Sequence, residues 1–185
     1  LVLNNQQFGW VIDSLVKDKN SRQAIMFFNR PEFQFDGNKD FVCTLYSNFF
    51  IRNNKLFMKI QMRSNDIFFG LTFDAPFFAF LHQSVYLALL ETYPDLELGM
   101  YFHHVDNIHF YERHFELANS IKENGVGNEY KMILKKPMIS YKNGEVSLTD
   151  AGSEYIRRID TAIKREQDSV ETENYKSILQ DYFDF

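Results

Sequence analysis

The sequence has one cysteine, four prolines and eight glycines in 185 residues. A single thiol, Cys43, excludes an internal disulfide framework, and a reducing cytoplasm is the expected setting. The few glycines never gather into a phosphate-cradling loop, and no Gly-x-Ser-x-Gly elbow is present. Positive charge is also scarce: 20 Lys+Arg stand against 25 Asp+Glu, a net charge of −5, which argues against binding to a nucleic-acid polymer. Apolar runs are short and interrupted, so no membrane span is expected. The chain opens Leu1-Val2-Leu3 without Met, charged leader or cleavage signature, as expected of a fragment or processed chain.

Phenylalanine is abundant. Its 20 copies suit a β-sheet covered on both faces, because aromatic side chains pack well on pleated surfaces. Residues 6–19 carry Phe8, Val11, Ile12, Leu15 and Val16 on one helical face. Residues 23–29 read as a strand closed by Arg30-Pro31, and 32–40 as a polar loop turning at Asp36-Gly37. Residues 41–52 and 55–63 predict a hairpin around Asn53-Asn54, a pair that tolerates positive φ. A helix is predicted over 74–92, capped by Asp74 with Pro76 in its first turn. Further expectations are a strand over 97–110, a helix over 111–122, turns at Asn124-Gly125 and Asn143-Gly144, and exposed charged helices over 147–166 and 171–183. The character of the chain changes near Ile121, which suggests a core of residues 1–120 and a divergent charged region 121–185, within one domain or appended to it.

The chemistry-bearing residues are few. A lone cysteine in an apolar strand is ordinarily a buried hydrophobe, whereas a nucleophilic thiolate needs a positive charge nearby. Arg63-Ser64 at a chain reversal offers a guanidinium fork and a hydroxyl, a good grip for phosphate. His103, His104 and His109 invite a metal reading, but neighbours on a strand point to opposite faces and no zinc spacing accompanies them. No metal is expected.

Taken in order, Ser21-Arg22-Gln23-Ala24, Phe41-Val42-Cys43-Thr44, Met62-Arg63-Ser64-Asn65-Asp66 with Gly70 and Asp74, and His109-Phe110-Tyr111 resemble the thymidylate synthase superfamily from about residue 7 to residue 120. Cys43 stands twenty residues before Arg63 and Asp74 eleven after it, as in that family. Arg30 to Asp40, followed by Cys43-Thr44 and Met62 to Asp66, is most similar to the deoxycytidylate hydroxymethylases of T-even phages. Ordinary thymidylate synthases usually have His after the nucleophile and Asn where this chain has Asp74.

The resemblance implies an α+β fold: a large, mostly antiparallel or mixed sheet with helices on one face and a homodimer partner on the other. It implies that Cys43 attacks C6 of a pyrimidine deoxynucleoside monophosphate and that C5 then takes a one-carbon unit from 5,10-methylenetetrahydrofolate. Arg63 and Ser64 would hold the phosphate, joined by Arg22 from the other subunit. Asn65 would lie in the same substrate site. Asp66, counted with Cys43 as catalytic, would bond the base through its backbone, and His109 and Tyr111 would hold the ribose hydroxyl. Asp74 would choose the base, since a carboxylate suits the amino group of cytosine and opposes O4 of uracil. Hydroxymethylation of dCMP is the expected reaction. Thymidylate synthesis from dUMP, or a non-catalytic relative, are the alternatives. The chain has Arg22-Gln23 where the family often has two arginines, its family's N-terminal portion is expected to be missing, and its tail does not resemble the family's folate-closing C-terminus.

Overall fold

The computed structural model describes residues 5–39, 41–125, 133–168 and 183–184. Helix α1 (Asn5–Lys17) leads into strand β1 (Ile25–Phe27), followed by the hairpin β2 (Thr44–Arg52) and β3 (Lys55–Met62). The short β4 (Asn65–Asp66) precedes the long helix α2 (Leu71–Leu89), and then come β5 (Glu97–Val105), β6 (Ile108–His109) and α3 (Phe115–Asn124). The C-terminal part holds β7 (Ile133–Leu134), β8 (Ile139–Lys142), β9 (Glu145–Leu148), α4 (Asp150–Asp168) and β10 (Phe183–Asp184). The main sheet runs β1-β2-β3-β5, antiparallel except for the parallel pair β3–β5. The fold is therefore α+β on a mixed sheet. No helix among the described residues is long and apolar enough to cross a membrane.

The hairpin turns where the two asparagines allow it. Asn53 and Asn54 have φ of 49° and 59°, the paired left-handed conformation that matches the twist of two antiparallel strands. Lys19 donates to Asn54 Oδ1 at 2.8 Å, which ties the tip to the loop after α1. Alternation along β2 and β3 then sends Phe49, Ile51, Leu56, Met58, Ile60 and Met62 inward. Against them α1 lays Phe8, Val11, Ile12 and Leu15, and α2 lays Phe78, Leu81, Val85 and Leu89. Each fully buried side chain of this size contributes about 1.5–3 kcal/mol through removal from water.

Gly99 lets β5 approach β3 at an irregularity of register between the Leu56 and Met58 pairings. A Cβ at Gly99 would lie 2.5 Å from the Leu56 carbonyl oxygen.

Several boundaries differ from the sequence reading. The strand expected over 23–29 is confined to Ile25–Phe27. The strand expected over 97–110 stops at Val105, because the chain bends at Asp106-Asn107 and resumes as β6 beside β4. The helix expected over 111–122 starts as one 3₁₀ turn, Glu112–His114, and continues as α3 to Asn124. Helix α2 begins at Leu71, not Asp74, so Pro76 is its sixth residue and lies inside the helix. The start is set upstream: Asp66 Oδ1 accepts from the backbone N–H of Phe68 at 2.8 Å and of Phe69 at 3.3 Å, turning the chain just before the helix. The helix expected over 147–166 yields its first residues to β9, and α4 is not wholly exposed, because Tyr155 and Ile159 pack on Leu134 and Met138. The helix expected over 171–183 lies outside the described residues, apart from Phe183, which with Asp184 pairs with β7.

The C-terminal elements pack on the helices rather than standing off from them. Tyr141 donates to Asp13 Oδ2 on α1 at 2.6 Å, and the Leu134 N–H donates to Gln83 Oε1 on α2 at 2.6 Å. This covering explains why α2 has no clean polar face: Gln83 and Ser84 are buried along with its apolar residues.

His82 is the other buried polar group on α2. Its Nε2 lies 2.9 Å from the Leu56 carbonyl, and burial pushes its pKa down from 6.5 to about 4. The folded protein thus keeps His82 neutral while the unfolded chain takes up a proton below about pH 6.5. Stability is expected to fall as pH drops from about 6.5 to about 4, by about 3 kcal/mol in total from this residue. Urea unfolding of the native protein and of His82→Gln across that window checks this; the pH slope should flatten in the variant.

Candidate active site

The end of β3 organises the polar residues that the sequence singled out. The Arg63 N–H donates to the Cys43 carbonyl at 2.9 Å, which extends the hairpin ladder by one bond past Thr44. Cys43 therefore stands just before β2 rather than within it, and its thiol is exposed. That overturns the reading of Cys43 as a buried hydrophobe. The Arg63 side chain folds over the segment before the cysteine. Nε donates to the Val42 carbonyl at 3.2 Å, Nη2 to the Phe41 carbonyl at 2.5 Å, and the guanidinium sits 4.8 Å from the centre of the Phe41 ring. A fixed cation and an exposed thiol thus share the mouth of the hairpin.

The next three residues turn toward β6. Ser64 Oγ lies 3.3 Å from His109 Nδ1, and the His109 ring meets Tyr111 edge to face at 5.5 Å. The Asn65 N–H donates to the Asn107 carbonyl at 3.0 Å, and the Ile67 N–H to the His109 carbonyl at 2.9 Å. This short parallel bridge holds Ser64, His109 and Tyr111 in one place. The Asp66 carboxyl is partly desolvated, which opposes ionisation. The N–H groups of Phe68 and Phe69, with His109 and His114 nearby, outweigh that and hold its pKa below the usual range.

Asp74 sits in the first turn of α2, where its N–H donates to the Gly70 carbonyl at 2.8 Å. It is not the helix cap that the sequence suggested; Gly70 occupies that position. Burial raises the Asp74 pKa, against the lowering effect of His103 and of a hydrogen bond from Asn65. Asn65 is itself buried, and its Nδ2 lies 3.1 Å from His103 Nε2. Gly70 makes room for it: a Cβ at Gly70 would fall 1.8 Å from Asn65 Oδ1.

Cys43, Arg63, Ser64, Asn65, Asp66, Asp74, His109 and Tyr111 thus gather around the end of β3 and the start of α2. Arg22 does not join them. It is exposed on the loop before β1, beyond the Ile25–Asn48 pairing, whereas Cys43 and Arg63 lie beyond the Thr44–Met62 pairing at the other end of β2. The sequence reading missed Tyr101 and weighed His103 only as a metal ligand. Alternation along β5 was the available signal, since it sends residues 101 and 103 to the same inward face. Among the described residues no group of three or more His, Cys, Asp or Glu is placed to hold a metal ion.

A mixed sheet with helices on one face, and an exposed thiol beside an arginine at the mouth of its central hairpin, define an α+β protein of the thymidylate synthase type. The chain belongs to the thymidylate synthase family, whose model matches residues 3–152. It is 32% identical to the deoxycytidylate 5-hydroxymethyltransferase of Enterobacteria phage T6 over 122 residues, 63% of this chain and 50% of that protein. It is 34% identical to the deoxyuridylate hydroxymethyltransferase of Bacillus phage SP01 over 103 residues, 55% of this chain and 26% of that one. In structure it is similar to thermostable thymidylate synthase A from Bacillus subtilis, with a TM-score of 0.60 and 19% identity, over 78% of this chain and 51% of that one. The chain spans about half the length of the T-even phage relative.

Proposed function

We propose that this protein transfers a one-carbon unit from 5,10-methylenetetrahydrofolate to C5 of a pyrimidine deoxynucleoside monophosphate, with dCMP as substrate and the 5-hydroxymethyl nucleotide as product. The observation that carries the base assignment is Asp74, a half-buried carboxyl in the first turn of α2, bonded to Asn65, which directly follows Arg63-Ser64. In this reading the Cys43 thiolate adds to C6, and the electron pair of the C5–C6 bond moves to C5, which becomes nucleophilic. C5 forms its new bond to the one-carbon unit and loses its proton. Departure of tetrahydrofolate leaves an exocyclic methylene. Water adds to that carbon and Cys43 is expelled from C6, which regenerates the thiol.

Arg63 and Ser64 take the phosphate, Asn65 and the Asp66 backbone line the base, and His109 with Tyr111 takes the ribose hydroxyl. Cytosine presents an unprotonated N3 and an N4 amino donor. A carboxyl whose pKa is raised by burial can accept from N4 and share a proton with N3. The same chemistry on dUMP is the second reading, favoured by the similarity to the deoxyuridylate enzyme of phage SP01. Turnover assays on the full-length protein with dCMP, dUMP and 5,10-methylenetetrahydrofolate, with products identified by mass, test both. A hydroxymethyl product from dCMP supports the proposal. Preference for dUMP moves the second reading ahead, and no turnover of either nucleotide overturns both.

We propose further that the protein works as a homodimer joined through the outer face of the sheet. Phe50 and Phe57 stack at 5.5 Å between centroids, and Phe57 and Phe102 at 6.2 Å, a ladder across three strands flanked by exposed Met100. A charge within that ladder would be desolvated on association. Phe57→Lys is expected to weaken dimerisation by at least about a hundredfold, roughly 2.7 kcal/mol, read by analytical ultracentrifugation. Dimerisation would also give exposed Arg22 a partner's phosphate site to reach. An unchanged sedimentation profile would place the interface elsewhere.

A further inference from the structure

Behind Asp74 runs a chain of four polar side chains from three elements. Tyr101 Oη, on β5, is hydrogen-bonded to His103 Nδ1. The other ring nitrogen of His103, Nε2, lies 3.1 Å from the amide of Asn65 on β4. Asn65 in turn bonds the Asp74 carboxyl on α2. The middle of this chain is well enclosed. Asn65 is 4% exposed, its amide also touches Met62 Sδ at 3.3 Å, and the Phe78 ring packs beside His103.

The donor and acceptor rules leave this chain little freedom. A neutral imidazole has one donor and one acceptor, an asparagine amide has one donor side and one acceptor side, and a phenol can play either part. The Asn65 atom that meets His103 Nε2 is the amide nitrogen Nδ2, which can only donate, so Nε2 is the acceptor. His103 therefore carries its proton on Nδ1 and donates to Tyr101 Oη, while Asn65 also donates to the Asp74 carboxyl, a hydrogen bond that opposes the rise in its pKa. The remaining edge of Asp74, with any proton it carries, then faces outward. An imidazolium donates from both nitrogens and would set its Nε2–H against the amide N–H of Asn65.

Burial pushes the His103 pKa down, against the opposing pull of Asp74, and pushes the Tyr101 pKa up, with Asp74 adding to the rise. Both groups therefore hold the neutral forms that the chain requires. They are the titratable groups that act on Asp74 from β5, and β4 contributes the neutral Asn65.

We propose that His103 is a positioning residue which, held by Tyr101 and acting through Asn65, orients Asp74 and governs its protonation, and so sets the choice between a cytosine and a uracil edge. The proposal rests on the reading that Asp74 meets the base. His103 touches no substrate in it. Asn65, held by His103, donates to Asp74 and leaves its other edge for the base, so a base with an amino donor beside an unprotonated ring nitrogen is matched. Loss of His103 frees the Asn65 amide to rotate and removes that bias.

The test has two arms on the full-length protein. The first follows the carboxyl carbon of Asp74 by NMR through a pH titration without nucleotide. His103→Phe, which lacks both ring nitrogens, is expected to raise the Asp74 midpoint by at least half a pH unit. His103→Gln keeps one donor and one acceptor and is expected to return it toward the native value. Tyr101→Phe should move it the same way as His103→Phe but less, and serves if the latter does not fold. The second arm measures kcat/KM for dCMP and dUMP against pH. The dCMP preference is expected to fall at least fivefold in His103→Phe, with the break in the pH profile displaced as in the first arm, and to recover in His103→Gln. An Asp74 midpoint that stays put in all three variants overturns the proposal, as does a selectivity loss that His103→Gln does not restore. If the native protein turns over neither nucleotide, the reading of Asp74 as a base selector fails along with the selectivity claim, while the first arm still decides whether His103 governs Asp74.

Discussion

Cys43→Ser is expected to reduce turnover to background, at least about a thousandfold, while nucleotide binding changes little. The thiol is exposed just before β2, the Cys43 carbonyl accepts from the Arg63 N–H, and the Arg63 side chain bonds the carbonyls of the two residues before Cys43. A serine hydroxyl fits the same space and leaves the Arg63 bonds to Phe41 and Val42 intact, since these use backbone carbonyls. What is lost is nucleophilicity, because an alcohol is almost wholly protonated at neutral pH and a thiol is not. The expected split is a fall in kcat with nucleotide affinity within about threefold of native, read by single-turnover kinetics and equilibrium binding. Turnover by the serine variant within tenfold of native would remove Cys43 from the mechanism.

Asp74→Asn is expected to move the ratio of kcat/KM for dCMP over dUMP by at least tenfold toward dUMP, about 1.4 kcal/mol. An amide presents one acceptor and one donor, which match N3–H and O4 of uracil. Against cytosine the same amide can still pair if it turns over, but Asn65, itself held by His103, donates to the inner oxygen of residue 74 and resists that rotation. A mismatched edge leaves a buried polar group unpaired, at a cost of roughly 1–3 kcal/mol, which supports discrimination of this size. Because the helix starts at Leu71, the substitution removes no cap, and folding stability should change by less than about 1 kcal/mol. A ratio that does not move, measured with thermal stability alongside, would deny Asp74 the role of base selector.

How much of the site was legible differs residue by residue. Arg63, Ser64, Asp66, Asp74, His109 and Tyr111 stand in short, ordered motifs, which is why the sequence singles them out as candidates. Cys43 was found but misjudged by its local pattern. Phe41-Val42-Cys43 reads as a continuation of the strand, yet Arg63 bonds the Phe41 and Val42 carbonyls with its side chain, so the strand proper starts at Thr44 and the thiol is left outside it. Asp74 was found as a helix cap because acidic residues commonly begin helices. The actual start is prepared by Asp66, eight residues earlier, through bonds to Phe68 and Phe69 that a propensity argument does not weigh. Tyr101 and His103 belong to no motif and emerge only when β5 lies parallel to β3 and brings them behind Asn65.

The sequence alone determined the local structures whose physics is local. Asn53-Asn54 made a tight hairpin, because two residues that tolerate positive φ match the strand twist. Period-2 alternation set the buried face of β3, and period 3.6 set that of α1, because side-chain direction follows from backbone geometry alone. The tertiary structure decided what depends on distant neighbours. The bend at Asp106-Asn107 exists because β6 pairs with β4, and α2 buries polar Gln83 because the backbone of Leu134 supplies its partner. The setting of Asp74 is of that second kind. Its ionisation depends on burial, on Asn65 nine residues before it and on His103 twenty-nine residues after it, a balance of desolvation and hydrogen bonding that only the packed chain creates.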